Sequence, residues 1–279
     1  MTSPLSGVRL VALDLDGTLL PASKKLTDRA IGVVRDVRAA GIEVTLATGK
    51  GWNHTRRYAE ELGLTAPVVA LEGALVAEPG DPAAAIHTRT LPTETVRAVH
   101  GAVAGLDVGF FYCHDRHRTR LESRIARWLP QVQIWDPHVD VVAGPPGGDD
   151  GHSPFGFTLI GPPADVHAAK ERVAAMALPE VDLFHAEFWD GHHQLHLRPA
   201  GVDKRSGLSH VLSRLGVGAS ELLAAGDWWN DVTMLRMARV AVAPGNAVAG
   251  VREAAHHVLP RTCEEDALAY FLDEALAAL

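Results

Sequence analysis

Five short, mostly apolar runs constrain the fold of this chain most strongly. They span residues 8–13, 42–47, 67–71, 222–225 and 240–243. Helix-like patterns separate them, and the first helix is predicted to begin near Thr27 and to stop at Gly41. Such runs are typical of parallel strands that are buried on both faces. The order of elements therefore predicts an α/β protein with a Rossmann-like, doubly wound parallel sheet as its core.

The composition changes between about residue 80 and residue 195, where aromatic residues, proline and histidine are concentrated. Strand-like and helix-like stretches still alternate there, but no strand ends in acidic residues. We therefore predict an inserted, smaller α/β domain at 87–195, between core segments 1–86 and 196–279. Within the insert, AGPPGGDDGHSP (143–154) consists of turn-forming residues and is predicted to be a mobile loop.

Charge and termini limit the classes of function. The formal net charge of −8 argues against a general nucleic-acid binder or a basic membrane-surface protein. The first apolar run meets Asp14 before it reaches the length of a signal peptide, so a cytoplasmic protein is expected. Cys113 and Cys263 form no CxxC pair and are expected to be buried or half-buried thiols. A monomer or a homodimer is expected.

Polar residues of catalytic types follow the predicted strands, where ligands of open α/β sheets bind. They are Asp14 and Asp16 in DLDGT, Thr48 and Gly49 in ATGKG, Lys204 in GVDKRSG, and Asp227, Asn230 and Asp231 in GDWWND. A buried carboxylate is costly unless it is paired or binds a metal. The cluster therefore indicates a cation site.

The residues suggest a phosphoryl-transfer site. Asp14 and Asp227 could supply hard oxygen ligands to Mg²⁺, and Asp14 could attack phosphorus to form an aspartyl-phosphate. Asp16 could then protonate the leaving alcohol and later activate water. Thr48, with nearby backbone N–H groups, and Lys204 could hold the phosphoryl oxygens.

Four motifs, DLDGT, TLATGK, GVDKRSGL and GDWWND, resemble in order and approximate spacing those of the haloacid dehalogenase (HAD) superfamily. The long insert resembles the α/β cap, type IIB, of its Cof-like branch. The resemblance implies that Asp14 is the nucleophile and Asp16 the general acid/base. It implies Mg²⁺ ligands at Asp14, Asp16 (through its backbone carbonyl) and Asp227, supported by Asp231, and phosphate-binding residues at Thr48, Gly49, Lys204 and Asn230.

Two positions depart from the pattern of that branch. Lys50 stands where arginine is frequent, which keeps the charge but loses the bidentate fork. Glu72 stands where asparagine is usual, and it places a carboxylate near the predicted cap entrance.

Structural roles compete with each functional one. Asp14 and Asp16 could end a strand in a solvated turn, and Asp227 to Asp231 could cap a helix. Trp228 and Trp229 suggest a stacking platform, but packing is favoured for at least one of them.

The histidines of HHQLH invite a zinc interpretation through His192, His193 and His196. Alternation along a strand sends His193 and His196 to opposite faces, so a shared metal site is disfavoured. Whether these histidines contact substrate stays open.

The resemblance, with the residues above, predicts a Mg²⁺-dependent phosphatase for a small phosphorylated metabolite, such as a sugar phosphate. The partner is then a small phosphorylated substrate, with no nucleic acid and no membrane. Two alternatives remain: a sugar phosphomutase of the same fold, and a binding or regulatory protein without turnover. The second is disfavoured because all the catalytic residue types are present.

Overall fold

The structure is a computed structural model that describes residues 2–113, 118–135, 139–144, 153–187 and 191–279. The strands in chain order are β1 (Leu10–Leu13), β2 (Glu43–Leu46), β3 (Val68–Ala70), β4 (Leu75–Glu78), β5 (Asp81–Thr88), β6 (Gly109–Cys113), β7 (Thr119–Glu122), β8 (Val139–Val142), β9 (Phe157–Gly161), β10 (Val181–Glu187), β11 (His193–Pro199), β12 (Leu222–Ala225), β13 (Val240–Ala243) and β14 (His257–Val258).

The helices in chain order are α1 (Asp28–Ala39), α2 (Trp52–Glu61), α3 (Thr93–Ala102), α4 (Leu129–Trp135), α5 (Pro163–Ala175), α6 (Lys204–Leu215), α7 (Val232–Met237), α8 (Ala249–Ala254) and α9 (Ala267–Ala277). No helix in the described ranges is both long enough and apolar enough to cross a lipid bilayer.

The chain divides into two compact units. The first comprises Met1–Lys50, His54–His87 and Asp203–Leu279, and the second comprises Gly51–Asn53 and Thr88–Val202. The return to the first unit at residue 203 differs from the predicted boundary at residue 196. The reason is strand β11, which pairs along its length with β10 and extends the sheet of the second unit to Pro199.

The first unit is built on five parallel strands in the order β14-β13-β12-β1-β2. From β1 the chain moves to β2 on one side, and after the insert it returns to β12 on the other. The topological switch point therefore lies between β1 and β12, where open α/β sheets bind ligands beyond the carboxyl ends of their strands. This confirms the predicted α/β fold with a parallel core sheet.

The predicted third strand has two kinds of partner. β3 joins the end of β2 by a single parallel bridge from Ala47 to Val69, and it pairs antiparallel with β4. The strands β3, β4 and β5 thus form a small sheet of their own.

Helix α1 shows how local sequence sets an element of the first unit. The Thr27 hydroxyl accepts a hydrogen bond from the Ala30 N–H at 3.1 Å and caps the helix, while Asp28 lies in the first turn beside the positive end of the helix dipole. Alanine and valine residues of one face are buried. The chain turns at Gly41, whose φ of +82° favours glycine, as predicted.

The second unit contains a six-stranded sheet in the order β10-β11-β9-β6-β7-β8. Its pairs are antiparallel except for β7 with β8. Helices α3 and α5 pack on one face, with a core that includes Phe110, Leu159 and Leu195, and α4 packs with Ile160 on the other. The neighbours Leu159 and Ile160 reach different cores because successive strand residues alternate faces.

Two smaller predictions concern the cysteines and the loop 143–154. Neither Cys113, which is half-buried, nor Cys263, which is buried, forms a disulfide. Most of the loop predicted to be mobile, residues 145–152, lies outside the described part of the chain.

Candidate active site

Two buried carboxylates lie at the switch point of the first unit. Asp14 directly follows β1, and its N–H donates to the Ala225 carbonyl at 3.0 Å, which ties it to the end of β12. Asp227 lies two residues after Ala225, the last residue of β12. Carboxylate oxygens of Asp14, Asp227 and Asp231 lie within 4.8 Å of one another. The sequence-predicted acids from two distant motifs therefore share one pocket at the edge of the sheet.

Lys204 is buried between two of these acids, with a side chain that is only 1% exposed. Its Nζ donates to Asp14 Oδ1 and to Asp231 Oδ1, each at 2.6 Å. Lys204 is the first residue of α6, and Asp203 and Ser206 cap that helix reciprocally with hydrogen bonds of 2.7 and 3.0 Å. The cap fixes the residue at which α6 begins, and with it the direction in which the Lys204 side chain extends.

Asp231 organises the loop that carries the acids. It is fully buried, and its Oδ2 accepts the N–H groups of Asp227 at 2.9 Å and Trp228 at 3.0 Å. Its other oxygen receives Lys204. Asp231 thus accepts the N–H groups of its own turn and also contacts Lys204 within the acidic cluster.

Two residues that the sequence analysis did not single out hold Asp227. Thr18 donates its hydroxyl to Asp227 Oδ1 at 3.1 Å, and Asn246 Nδ2 lies 3.4 Å from Oδ2 and donates to the Gly17 carbonyl at 2.8 Å. Thr18 belongs to DLDGT, so its motif offered a signal. Asn246 follows β13, and the same strand-end rule could have found it.

The pocket holds more negative than positive charge. Burial raises the pKa of Asp14 to about 7, with Asp231 adding like-charge repulsion and Lys204 opposing both. Burial, with repulsion from Asp14, also raises the pKa of Asp227 to about 7, and burial raises that of Asp231. For Lys204, attraction to Asp14 and Asp231 outweighs burial and raises its pKa above the ordinary value. One ammonium therefore does not balance three carboxylates.

Asp16 has a different environment from Asp14. Its side chain is 41% exposed, and its two oxygens receive Lys24 Nζ at 2.6 Å and Lys50 Nζ at 2.7 Å. Burial opposes ionisation, but the two lysines outweigh it and lower the pKa of Asp16 below its ordinary value. Lys50, one of the departures noted in the sequence, thus acts on this carboxylate.

Thr48 and Gly49 form the turn at the end of β2. The Thr48 N–H donates to the Val69 carbonyl at 3.0 Å, and its buried hydroxyl accepts the Lys50 N–H at 3.2 Å. A side chain at Gly49 would collide with the Glu72 carboxylate. The turn is therefore held between β2 and the loop after β3, and a larger residue at its second position would require the Glu72 carboxylate to shift.

Glu72 links this turn to Asn230. Glu72 has a φ of +60°, which is uncommon for a residue other than glycine, and its Oε1 accepts Asn230 Nδ2 at 2.8 Å. Glu72 Oε2 and Asn230 Oδ1 are buried and have no hydrogen-bond partner among the described residues. Two acceptors without donors are costly in a protein interior unless a bound group supplies a donor.

The tryptophans of GDWWND are both about half exposed, at 52% for Trp228 and 51% for Trp229. The Trp229 ring lies directly against the Cα of Gly250, where a Cβ would collide with it. Packing therefore accounts for Trp229, as the sequence analysis favoured.

The three histidines of HHQLH do not come together. His196 Nδ1 bonds to the Thr158 hydroxyl at 2.9 Å, and its ring lies beside Phe184. His192 bonds to Gln194 Nε2 at 3.0 Å and packs against Trp128. The structure places His193 on the other face, beside His185. His193 and His196 thus lie on opposite faces of β11, which is the alternation on which the sequence disfavoured a shared metal site.

Comparison with known proteins identifies relatives along nearly the whole chain. Residues 11–272 match the family model of haloacid dehalogenase-like hydrolases. The chain is 29% identical over 281 residues to 5-amino-6-(5-phospho-D-ribitylamino)uracil phosphatase YitU of Bacillus subtilis, covering 95% of this chain and 96% of that protein. It is 30% identical over 250 residues to a phosphoglycolate phosphatase of Aeropyrum pernix, covering 89% and 85%.

A solved structure shows the same fold. The crystal structure of a haloacid dehalogenase-like hydrolase from Bacteroides thetaiotaomicron superposes with a TM-score of 0.85 at 21% identity, covering 96% of this chain and 99% of that one.

Proposed function

Because this chain belongs to the haloacid dehalogenase-like hydrolases, we propose that it is a Mg²⁺-dependent phosphatase that releases phosphate from a small phosphorylated metabolite through an aspartyl-phosphate. The resemblance to the Cof-like branch with an α/β cap is confirmed, and so is the prediction of a phosphoric monoester hydrolase. The metal, the covalent intermediate and the substrate class are the parts that we propose.

The observation that carries the proposal is the pairing of Asp14 with Lys204 beside further carboxylates. Lys204 Nζ holds Asp14 Oδ1 at 2.6 Å, which leaves Oδ2 as the oxygen to attack phosphorus. The same ammonium would lower the repulsion between an anionic nucleophile and an anionic substrate. Attack forms the bond from Asp14 to phosphorus and releases an alkoxide leaving group.

Asp16 is proposed to move the protons. It would protonate the leaving alkoxide and then take a proton from the water that hydrolyses the aspartyl-phosphate. Lys24 and Lys50 keep Asp16 ionised at rest, since they lower its pKa. A phosphate dianion placed beside Asp16 adds negative charge and competes for both lysines, which raises that pKa again. Substrate binding would thus prepare Asp16 to act as the acid.

The residues present fit a Mg²⁺ ion. Their donors are hard oxygen atoms, Asp14 and Asp227 have pKa values raised to about 7, and the pocket has an excess of negative charge. Asp14, the backbone carbonyl of Asp16 and Asp227 would hold the ion, and Asp231 would support them by fixing Lys204 and the loop. When bound, Mg²⁺ would neutralise charge between the carboxylates and the phosphoryl group.

Gly17 provides a test of the metal site in which no proposed ligand residue is itself substituted. A Cβ at Gly17 would collide with the Asp227 carboxylate, and its φ is +77°. Gly17→Ala should therefore displace Asp227 and weaken Mg²⁺ activation at least about tenfold, on the scale of a disturbed ligand shell. The measurement is the Mg²⁺ concentration that gives half-maximal phosphate release.

Gly41→Ala is the matched control. Gly41 has a φ of +82°, and a Cβ there meets no atom within 4 Å. Both variants bear a similar backbone strain, about 1–2 kcal/mol, but only Gly17→Ala has the collision. An equal shift in both variants would mean that backbone strain alone is responsible and that Asp227 is not a ligand.

Thr48, Gly49, Lys204 and Asn230 are proposed to bind the phosphate. Thr48 and Gly49 offer a hydroxyl and backbone N–H groups at the end of β2, next to the strand that carries Asp14. Lys204 offers its ammonium. Asn230 donates to Glu72, and its proposed role is to order the GDWWND loop.

The substrate class is proposed to be a phosphorylated sugar or polyol. The buried acceptors Glu72 Oε2 and Asn230 Oδ1 lack donors among the described residues, and a hydroxyl-bearing substrate supplies donors. One relative, YitU, is named for a substrate with a phosphorylated ribityl chain. Another is named for phosphoglycolate, so relatives of similar identity differ in substrate.

Release of inorganic phosphate tests the proposed function. The panel contains sugar and polyol phosphates, phosphoglycolate, nucleotides and an aryl phosphate, each assayed with Mg²⁺ and with chelator. We expect release that requires Mg²⁺ and is fastest with a polyhydroxylated substrate. Release that is unaffected by chelator would reject the metal dependence. Conversion of one sugar phosphate into its isomer without phosphate release would favour the mutase.

A further inference from the structure

Three histidines of the second unit converge on one point, although they come from three different elements. They are His167 of α5, His185 of β10 and His193 of β11, and one ring nitrogen of each lies within 4.8 Å of the other two. The ring centroids are 4.7, 5.1 and 5.0 Å apart for the pairs 167/185, 167/193 and 185/193. We propose that this cluster, the His167 cluster, is a binding site for a transition-metal ion of the Zn²⁺ class.

The register of the sheet explains why two of these rings meet. In the antiparallel pair β10 and β11, His185 lies opposite Leu195 and Glu187 lies opposite His193. His185 and His193 therefore lie diagonally on one face of the sheet. His185 Nε2 and His193 Nδ1 are 3.1 Å apart and share a hydrogen bond, whose proton a bound ion would displace. Two imidazole nitrogens on one tetrahedral Zn²⁺ stand about 3.3 Å apart, so this spacing already fits a shared ion.

His167 is oriented by its own helix. Its Nδ1 lies 2.7 Å from the Pro163 carbonyl, one turn earlier in α5. A carbonyl only accepts hydrogen bonds, so Nδ1 carries the proton and the lone pair of the neutral ring is on Nε2. Metal-binding histidines typically donate their other nitrogen to a carbonyl or carboxylate in this way, which fixes both the tautomer and the ring orientation.

The surroundings of the cluster favour a preformed site. Helix α5 packs on this face of the sheet through Val166, Ala169 and Val173, in the same core as Leu195. His193 is buried, His185 is half-buried and His167 is exposed, so the site has a rigid floor and an opening to solvent. Ligands on packed helices and strands hold their geometry better than ligands on loops.

The ligand type distinguishes this site from the pocket at Asp14. Imidazole nitrogen suits Zn²⁺, Ni²⁺, Cu²⁺ and Fe²⁺, whereas carboxylate oxygen suits Mg²⁺. Three imidazoles leave a fourth position for water or another donor. The inference does not depend on the proposed phosphatase function.

The test is a titration of the full, tag-free chain with Zn²⁺ in excess Mg²⁺, followed by calorimetry, with Co²⁺ absorption as a measure of coordination. We expect one Zn²⁺ per chain and a Co²⁺ spectrum of tetrahedral intensity. His167→Gln and His185→Gln should each weaken Zn²⁺ binding at least about tenfold. Loss of a residue that only hydrogen-bonds to a metal ligand already costs about this much, so loss of a ligand should cost no less. Because His167 is exposed, its substitution does not disturb the core.

Two variants locate the ion. His100→Gln removes a half-buried histidine from α3 of the same unit, outside the cluster, and should bind Zn²⁺ as the unmodified chain does. Asp14→Asn should also keep one Zn²⁺. The proposal is overturned if no Zn²⁺ binds in excess Mg²⁺, if Asp14→Asn abolishes binding, or if His167→Gln and His100→Gln bind equally well.

Discussion

Asp14→Asn is expected to lower the rate of phosphate release by at least about 10³-fold in a protein that stays folded. Loss of a covalent nucleophile acts on this scale or a larger one, because an amide does not attack phosphorus. The substitution should not cost stability without metal. Burial already disfavours the charge of Asp14, whose pKa is raised to about 7. A neutral residue of the same shape relieves repulsion from Asp231, while Lys204 keeps Asp231 as its charged partner at 2.6 Å. The melting temperature in chelator should stay the same or rise.

The control for this variant is Asp36→Asn. Asp36 is an exposed carboxylate of α1 that pairs with Arg35 at 3.1 Å, and its substitution makes the same chemical change away from the switch point. It should keep the unmodified rate. A folded Asp14→Asn protein that retained more than about a tenth of the rate would show that Asp14 is not the nucleophile, since such a loss is a small part of what a nucleophile contributes.

Lys204→Met is expected to lower the free energy of unfolding in chelator by about 3–5 kcal/mol. Removing one partner of a buried ion pair leaves an uncompensated charge, and this range is typical of that change. Here two carboxylates, Asp14 and Asp231, lose the same ammonium, which is 2.6 Å from each. Methionine keeps the apolar length of the side chain, so the change in the free energy of unfolding reports mainly the loss of the charge. Urea denaturation measures this free energy.

A double-mutant cycle separates the charge from packing. In an Asp231→Asn background only one carboxylate depends on Lys204, so the cost of Lys204→Met should fall by at least about 1 kcal/mol, within the range for residues in one network. Lys170→Met, at an exposed position of α5, is the surface control and should have little effect. Additive costs in the cycle would contradict the shared role of Lys204.

The location of the site was predictable because it depends on short-range patterns and one topological rule. Apolar runs identify β1 and β12, and the residues that follow parallel strands must meet at one edge of the sheet. Asp14 and Asp227, which are 213 positions apart in the chain, therefore could be placed together from the sequence. The structure brings them together with Lys204 and Asp231. Their chemical roles stay predictions.

Contacts between side chains were less predictable. Nothing in the local pattern indicates that Lys24 reaches Asp16 or that Glu72 holds Asn230, because both contacts depend on loop conformations. The division that the structure shows at residue 203 could not be predicted from the local pattern, because the strand register that includes residues 196–199 is a long-range property. The partners of His193 were missed for the same reason.

The cap of helix α6 has a consequence for how such a chain can diversify. The chain re-enters the first unit at Asp203, and the next residue is Lys204. Asp203 is fixed there by its reciprocal bonds with Ser206 and by the close approach of Gly73 to its carbonyl. The position of Lys204 is thus set by residues of the first unit, not by residues of the second. The segment between residues 88 and 202 could therefore be replaced by one of different length or sequence, during evolution or by grafting, without changing the position of Lys204.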